Sequence, residues 1–430
     1  MSYQLNPFIP YQPVDPNQFI GREKEIRELE LALLHAKQEQ QRHFLITGDR
    51  GIGKTSFLDY IRGTARSYSE ELGATFNFIV VDVVIDKSTT RLDLIKKIRR
   101  ALNYELAKNE PAKEFLTKAW GFISRVEAAG ISLKQLTEKD KNDNLLYDEL
   151  GYSLIDIVGR SCMDGDPDSI ITGKAYDGIL ILLDEADQAS PSLGLGSFIK
   201  YLLELLRRHS CKKVLFGVAG LPNVVDVLLK SHRSSLRIFD ELKLPCLSLS
   251  EVSTLLDELV IGAQAGGHLG FMITDQAKNI IWEYSDGHPQ FCHQIGYNAF
   301  EAASKELGID DDVIIDASHV VSGAFGERGA LDIIGDVYFR DVYEDLKNSH
   351  HELNILRLLT ETEGFAVDLD GILSSMEVDA DMLDYAIENL VDSGLILFNS
   401  RNHNCKLKYA SFAYWFSSNN PGLILKETKN

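Results

Sequence analysis

The sequence predicts an α/β fold in which helices cover both faces of a parallel β-sheet. Nearly continuous apolar runs indicate buried strands at residues 43–47, 76–85, 178–183 and 213–218. Stretches of helical periodicity separate these runs, and such alternation is typical of a parallel sheet buried on both faces. A glycine-rich loop directly follows the first run, so the chain is expected to turn sharply where the first strand ends.

Three domains are predicted. Residues 1–249 hold the sheet, an N-terminal arm and a helical insertion at about residues 102–150. Residues 250–330 read as a small domain of helices only. Residues 331–420 begin with a linker helix and continue with three helices and a hairpin of two short strands, expected at 395–399 and 406–410. That order of elements is typical of a winged helix.

Charge and composition exclude several classes of protein. The 430 residues carry a formal net charge of −20, so nonspecific binding to nucleic acid or to an anionic membrane is disfavoured. The five cysteines form no C-x-x-C pair, which favours buried reduced thiols over a disulfide framework or a zinc site. The N-terminus lacks the pattern of a signal peptide, and the apolar run 179–183 is far shorter than the roughly 20 residues of a membrane span. We therefore expect a cytoplasmic protein.

The glycine-rich loop matches the P-loop pattern G-x-x-x-x-G-K-S/T between a predicted strand and a predicted helix. Its glycines let successive backbone N–H groups turn towards one anion, and the helix N-terminus adds partial positive charge there. Lys54 can reach the β- and γ-phosphates of ATP, and the Thr55 hydroxyl can bind Mg²⁺. The residues expected to bind ATP at this loop are Gly48, Asp49, Arg50, Gly51, Ile52, Gly53, Lys54, Thr55 and Ser56.

An acidic pair is expected to complete this site. The apolar run 179–183 leads directly into Asp184 and Glu185. Asp184 would hold Mg²⁺, mostly through water, since this ion loses its water ligands reluctantly. Glu185 would orient or deprotonate the attacking water. The alternative interpretation of the pair is an acidic surface turn after a strand.

Together with the segment Phe19–Glu23, these motifs resemble the AAA+ and STAND class of P-loop ATPases, and most closely the branch related to origin-recognition ATPases. The resemblance covers residues 6–416. It implies a P-loop ATPase core, a helical lid and a C-terminal winged helix. It also implies that Ile20, Gly21 and Arg22 contact the adenine, whereas on the residues alone the last two are a helix-start signal.

Two more positions follow from the resemblance. Arg237 lies where the class often has an arginine finger, which would stabilise charge on the phosphates of a neighbouring subunit. The segment Asp286–Pro289 resembles the G-x-P element of STAND lids, which implies that Pro289 abuts the nucleotide. AAA+ proteins use a lid arginine instead, and residues 273–303 contain none, which favours the STAND side. A surface arginine and an ordinary loop between helices are the alternatives.

The third helix of the predicted winged helix is the one that commonly enters a DNA major groove. Here it spans residues 380–393 and contains four carboxylates and no lysine or arginine, so it would be repelled by phosphates. We interpret the module as a contact for a protein or as an intramolecular clamp. Any nucleic acid would be expected at the basic stretches 91–100 and 207–243 instead.

These observations predict an ATP-binding, ATP-hydrolysing switch of AAA+ or STAND type that needs Mg²⁺. ATP binding would drive homo-oligomerisation or a conformational change that regulates an unidentified partner protein, for example in signalling or bacterial defence. The alternative is an origin-recognition-like or loader-type ATPase that acts on DNA. Glu185, Lys54 and Arg237 are the residues expected to act in catalysis.

Overall fold

The computed structural model describes residues 5–13, 19–107, 110–121, 140–162, 175–267, 270–305, 312–362, 365–376 and 379–419. The chain forms two compact units. One holds Val14–Pro245, and the other holds Met1–Pro13 together with Cys246–Asn430.

The first unit is built on a parallel sheet, as the sequence predicts. The strands of this unit are β1 (His43–Thr47), β2 (Tyr68–Ser69), β3 (Ala74–Thr75), β4 (Phe78–Val84), β5 (Gly178–Asp184), β6 (Val214–Gly220) and β7 (Phe239–Lys243). The sheet has the order β4-β5-β6-β1-β7, and each neighbouring pair is parallel. A two-residue antiparallel pair, β2 and β3, lies outside this sheet.

The central strands are buried along their whole length, because helices cover both faces of the sheet. Every residue of β1, β5 and β6 is buried. Phe44 of β1 pairs with Gly217 of β6, and a Cβ at Gly217 would lie 2.3 Å from the Phe44 ring. The glycine therefore admits a large ring at the centre of the sheet.

The sequence did not predict the edge strand β7. Its residues Phe-Asp-Glu-Leu-Lys are mostly polar, and only Leu242 among them is buried. An edge strand needs one buried face at most, so the apolar run that marks the other strands is absent here. Strand β7 is nevertheless paired along its full length with β1.

Helices connect these strands. The described part of the predicted insertion at 102–150 is helical, and its residues Leu146, Tyr147 and Leu150 join the core. The helices of this unit are Glu23–Lys37, Lys54–Thr64, Arg91–Leu106, Glu110–Ala119, Asp140–Ser161, Leu195–Arg208 and Val224–Ser231, with 3₁₀ turns at Ala186–Gln188 and Ser235–Ile238.

The second unit is mainly helical. Where the sequence predicts helices only, the structure adds a two-residue parallel pair, β8 (Met272–Ile273) with β9 (Ile314–Ile315). The helices are Leu249–Ala265, Asp275–Ser285, Pro289–Lys305, Ala317–Phe325, Ala330–Tyr338, Arg340–Leu346, His350–Glu361, Leu369–Ser375, Ala380–Asp392 and Ala410–Asn419.

The C-terminal part of this unit contains the strands β10 (Val367–Asp368), β11 (Ile396–Asn399) and β12 (Asn404–Leu407). They form an antiparallel sheet in the order β10-β12-β11. The second hairpin strand begins two residues earlier than the sequence predicts. The helix Ala380–Asp392 buries Leu383, Ala386, Ile387 and Leu390, which is the apolar face that its sequence shows. We call residues 379–419 the C-terminal module.

The N-terminal arm packs on the helical unit, although the sequence analysis grouped it with the sheet. Phe8 is buried against Gly296, where a Cβ would lie 2.1 Å from its ring. The Ile9 N–H donates to Nδ1 of His293 at 3.3 Å, and the Asn6 side chain donates to the Tyr297 carbonyl at 3.1 Å. The slot at Gly296 explains why the arm lies on this helix.

Among the residues that the structure describes, no helix is both long enough and apolar enough to cross a bilayer.

We predict that acid destabilises the helical unit through His293. Burial lowers the pKa of His293 from 6.5 to about 4. Because the unfolded chain binds this proton first, the free energy of unfolding should fall as the pH drops from 6.5 to 4, by up to about 1.4 kcal/mol per pH unit. Denaturant unfolding of the wild type and His293→Gln at several pH values tests this.

The variant should show a shallower pH dependence than the wild type. His403→Gln, a change at an exposed histidine, is the control and should keep the wild-type slope. Equal slopes for His293→Gln and the wild type would contradict the prediction.

Candidate functional site

The glycine-rich loop joins β1 to the helix Lys54–Thr64, as the sequence predicts. Gly51 and Gly53 have φ angles of 75° and 100°, a region that side chains rarely adopt. A Cβ at Gly48 would lie 2.8 Å from the Ile52 side chain and 3.2 Å from the Leu244 carbonyl oxygen. The loop therefore needs glycine where its backbone turns and where it approaches another segment. Ser56 is buried in the first turn of the helix.

Lys54 lies across this loop. Its Nζ donates to the carbonyl oxygens of Gly48 and Asp49, both at 2.8 Å. Burial lowers the pKa of Lys54, while nearby carboxylates, with Asp187 and Asp184 the strongest, act in the opposite direction. The ammonium group is thus held in a largely desolvated position among acids, where its positive charge can bind an anionic ligand.

Arg22 holds the same loop through a hydrogen bond to its backbone. It has a φ of 60° and is 3% exposed, and its Nη2 donates to the Ile52 carbonyl oxygen at 2.7 Å. The resemblance assigns Arg22, with Ile20 and Gly21, to the adenine. In the structure the Arg22 guanidinium bonds the phosphate loop itself. Ile20 and Gly21 are half-buried immediately before the helix Glu23–Lys37.

An aromatic cluster that sequence reasoning missed adjoins the loop. The Phe19 ring stacks on Phe57 with centroids 5.4 Å apart and lies 5.7 Å from the Tyr60 ring. A Cβ at Gly53 would lie 4.0 Å from the Phe19 ring. An aromatic residue directly before the Ile20-Gly21-Arg22 segment was the available signal. Phe57 is fully buried, whereas Phe19 and Tyr60 are half-buried, so these two rings are the accessible part of the cluster beside the loop.

The acidic pair lies where the sequence predicts, at the carboxyl end of β5. The Thr55 hydroxyl donates to Oδ2 of Asp184 at 3.3 Å, and the backbone N–H of Glu185 donates to Oδ1 of Asp184 at 2.8 Å. Asp184 is buried, and Glu185 is exposed with a φ of 53°. A hydroxyl beside a carboxylate supplies the hard oxygen ligands that Mg²⁺ prefers.

Asp187 is a further acid that the sequence analysis did not select. Its Oδ1 accepts the backbone N–H of Leu221 at 2.9 Å, so it joins the end of β5 to the end of β6. Ala219 is buried at that strand end, and Asn223 is exposed. Asp187 therefore places a carboxylate beside the end of β6, where the strand itself supplies only Ala219 and Gly220. Its position three residues after Asp184 was the available signal.

Two further predicted residues belong to other elements. Arg237 is exposed in the 3₁₀ turn that precedes β7. The first residue of β7, Phe239, pairs with His43, the first residue of β1. The P-loop follows the last residue of β1. Arg237 therefore lies near the amino ends of these strands, and the P-loop lies at their carboxyl ends. Pro289 begins the helix Pro289–Lys305 in the second unit.

The comparisons with known proteins agree with this geometry. Residues 18–215 match the sequence model of the AAA ATPase domain. The matched region contains the P-loop, Asp184 and Glu185 and most of the parallel sheet. Residues 18–215 are therefore similar to an AAA ATPase domain, in agreement with the P-loop and the parallel sheet.

Two solved structures share the fold over most of the chain. The Walker-type ATPase of Pyrococcus abyssi is 15% identical, with a TM-score of 0.54, and the match covers 94% of this chain and 98% of that chain. The ORC2 protein of Aeropyrum pernix, solved as ADPNP–ADP complexes, is 13% identical, with a TM-score of 0.55 and 93% of each chain covered. At these identities the likeness concerns the fold. No curated protein matches the sequence.

We predict that Arg22→Met weakens ATP binding, since the Ile52 carbonyl loses the donor that fixes the loop. A buried acceptor left unpaired costs about 1–3 kcal/mol, so we expect a lower melting temperature and about tenfold weaker affinity. Thermal unfolding and titration with a fluorescent ATP analogue measure both. Arg27→Met changes an exposed arginine on the same helix and should leave both values unchanged. Equal affinities for the two variants would contradict the prediction.

Proposed function

We propose that this protein is an ATP-hydrolysing molecular switch whose nucleotide state sets its conformation or assembly state and thereby regulates a partner protein. The observation that carries the proposal is the contact between Thr55 and Asp184, whose oxygens lie 3.3 Å apart beside Lys54. A phosphate loop, an ammonium group and a carboxylate at one edge of a parallel sheet are the parts that phosphoryl transfer needs.

The residues of this site fit ATP and Mg²⁺. The positive φ angles of Gly51 and Gly53 turn the loop backbone in the manner of an anion-binding nest. Thr55 and Asp184 would hold Mg²⁺, because they present a hydroxyl and a carboxylate together. When bound, this ion neutralises charge that develops on the phosphates.

Each side chain then has a distinct role. Lys54 binds the β- and γ-phosphates and is held in place by the carbonyls of Gly48 and Asp49. Glu185 is exposed, so its carboxylate can accept a proton from a water molecule that attacks the terminal phosphate. Its backbone bond to Asp184 fixes the point from which that carboxylate projects.

Arg237 supports a homo-oligomeric state. It is exposed at the sheet edge opposite the P-loop of its own chain. A guanidinium in that position can stabilise phosphates only in a second copy of the chain. We therefore propose that ATP lies at a contact between copies and that Arg237 acts in trans.

The lid assignment follows STAND rather than AAA+ proteins. Residues 273–303 contain no arginine, and the Asp286–Pro289 loop carries the G-x-P pattern. We propose that Pro289 abuts the nucleotide, and that the protein serves a regulatory process such as signalling or bacterial defence.

DNA is the alternative target, and the C-terminal module argues against it. The four carboxylates of the helix Ala380–Asp392 are exposed, and this helix contains no lysine or arginine. They are Asp381, Asp384, Glu388 and Asp392. An acidic face is better suited to a protein than to a phosphate backbone.

We predict that Glu185→Gln binds ATP but hydrolyses it at least about 100-fold more slowly, since the base for the attacking water is lost. Light scattering after size-exclusion chromatography, with and without ATP and Mg²⁺, should then show a larger assembly for this variant. Lys54→Ala should bind ATP poorly and stay small. Glu204→Gln, at a partly exposed glutamate that pairs with Lys200, is the control. Wild-type hydrolysis in Glu185→Gln would contradict the assignment, and duplex DNA added to the same run tests the alternative.

We predict that Arg237→Ala lowers the hydrolysis rate without weakening ATP binding to the isolated chain, because the residue lies far from its own P-loop. Mixing Arg237→Ala with Lys54→Ala should restore part of the activity, since one copy then supplies the arginine and the other supplies the site. Arg233→Ala, at another exposed arginine of the same segment, should behave as the wild type. Loss of activity that mixing does not restore would contradict a role in trans.

A further inference from the structure

The loop Asp286–Pro289 of the second unit is tightly held. Asp286 and Gly287 have φ angles of 50° and 69°. The Leu247 N–H donates to the Gly287 carbonyl at 2.8 Å, and a Cβ at Gly287 would lie 1.9 Å from the Leu247 carbonyl oxygen. Glycine is therefore required there, and the loop is fixed to the segment that enters this unit from the sheet domain.

The carboxylate of Asp286 caps a helix that lies 124 residues further along the chain. Its Oδ2 accepts the backbone N–H of Ala410 at 2.6 Å, and the Ser411 N–H also bonds this carboxylate. Ala410 is the first residue of the helix Ala410–Asn419. The first N–H groups of a helix have no partner within it, and they attract negative charge.

The surroundings of the cap act on the Asp286 carboxylate in both directions. Burial raises the pKa of Asp286 to about 6, while the two N–H groups and the charge of Lys406 act in the opposite direction. Burial of the ionised carboxylate thus costs free energy that the helix terminus offsets only in part.

His288 links the same loop to the residue before that helix. It is 1% exposed, and its ring stacks on Phe291 at 4.0 Å and meets the Tyr409 ring edge-on at 5.7 Å. Loop residues 286 and 288 therefore contact two successive residues, 409 and 410. Pro289, the residue assigned to the nucleotide, follows directly.

We propose that Asp286 is a positioning residue that holds the C-terminal module to the loop Asp286–Pro289, a contact that we call the latch. Nucleotide binding at this loop and docking of the module are then linked. The inference rests on the proposed function, which places Pro289 at the nucleotide. Linkage is reciprocal: a latch that changes nucleotide affinity is itself strengthened or weakened by the nucleotide. Asp286 is thus the residue through which ATP binding affects the docking of the C-terminal module.

The rest of the helix Ala410–Asn419 is packed independently of the latch. A Cβ at Gly335 would lie 1.8 Å from the Trp415 ring, and Tyr414 meets Tyr284 edge-on at 5.5 Å. Variants of Asp286 should therefore fold, and the latch should control the N-terminal end of the helix.

Three variants separate the cap from backbone strain. Asp286→Gly removes the carboxylate and suits the positive φ. Asp286→Asn keeps an acceptor oxygen and a residue that tolerates this φ. Ala410→Pro removes one donor, and proline is accepted in the first turn of a helix. Hydrogen exchange of residues 396–419 and titration with a fluorescent ADP analogue are measured for each variant in the full chain.

Asp286→Gly should speed exchange at residues 409–413 and change nucleotide affinity by about fivefold or more. Asp286→Asn should stay close to the wild type. Asp286→Gly combined with Ala410→Pro should have little more effect than Asp286→Gly alone, since both disrupt one contact.

Two results would overturn the proposal while leaving ATP binding intact. One is unchanged exchange in Asp286→Gly, and the other is faster exchange with nucleotide affinity equal to that of the wild type. A wild type that binds no nucleotide would instead overturn the proposed function and the linkage with it. The three outcomes are therefore distinguishable.

Discussion

The register of β5, β6 and β1 is the constraint on which the rest of the site depends. Leu183 pairs with Val218, and Ala219 pairs with Ile46, so the three strands end at the same edge of the sheet. The Thr55 hydroxyl therefore reaches Asp184 although 129 residues separate them in the chain. A slip of one residue in either pairing would move every side chain of the strand to the other face. The buried glycine beneath the Phe44 ring opposes such a slip.

Three contacts keep this edge rigid, and all three are hydrogen bonds within the protein. Arg22 bonds the loop at Ile52, Asp187 ties the ends of β5 and β6, and the Glu185 N–H bonds Asp184. A site held in this way loses little entropy when a ligand binds. The positive φ of Arg22 and of Glu185 shows that the backbone accepts strain at these points, which is common around functional sites.

The sequence was sufficient for the parts of the fold that repeat a simple pattern. The four buried strands of the sheet were predicted to within two residues at either end, because a central parallel strand is a continuous apolar run. The P-loop and Asp184 were located because their residues are close in sequence to such runs. In the structure the two motifs meet where the Thr55 hydroxyl donates to the Asp184 carboxylate.

What the sequence could not give depends on contacts between distant residues. β7 is a polar edge strand, and its place beside β1 is set by pairing alone. The hydrogen bond from Arg22 to Ile52 depends on a left-handed backbone conformation at Arg22, which no residue pattern in the sequence predicts. The N-terminal arm lies on the helix Pro289–Lys305 because Gly296 leaves room for Phe8, a match between positions 288 residues apart.

The placement of that arm has a consequence for the order of folding. Asn6 bonds Tyr297 and Ile9 bonds His293, so these contacts join residues 291 and 284 positions apart in sequence. Residues so far apart meet only after a large loss of chain entropy, so such contacts form late in folding. The helix Pro289–Lys305 is therefore completed by a segment that is synthesised early but packs late.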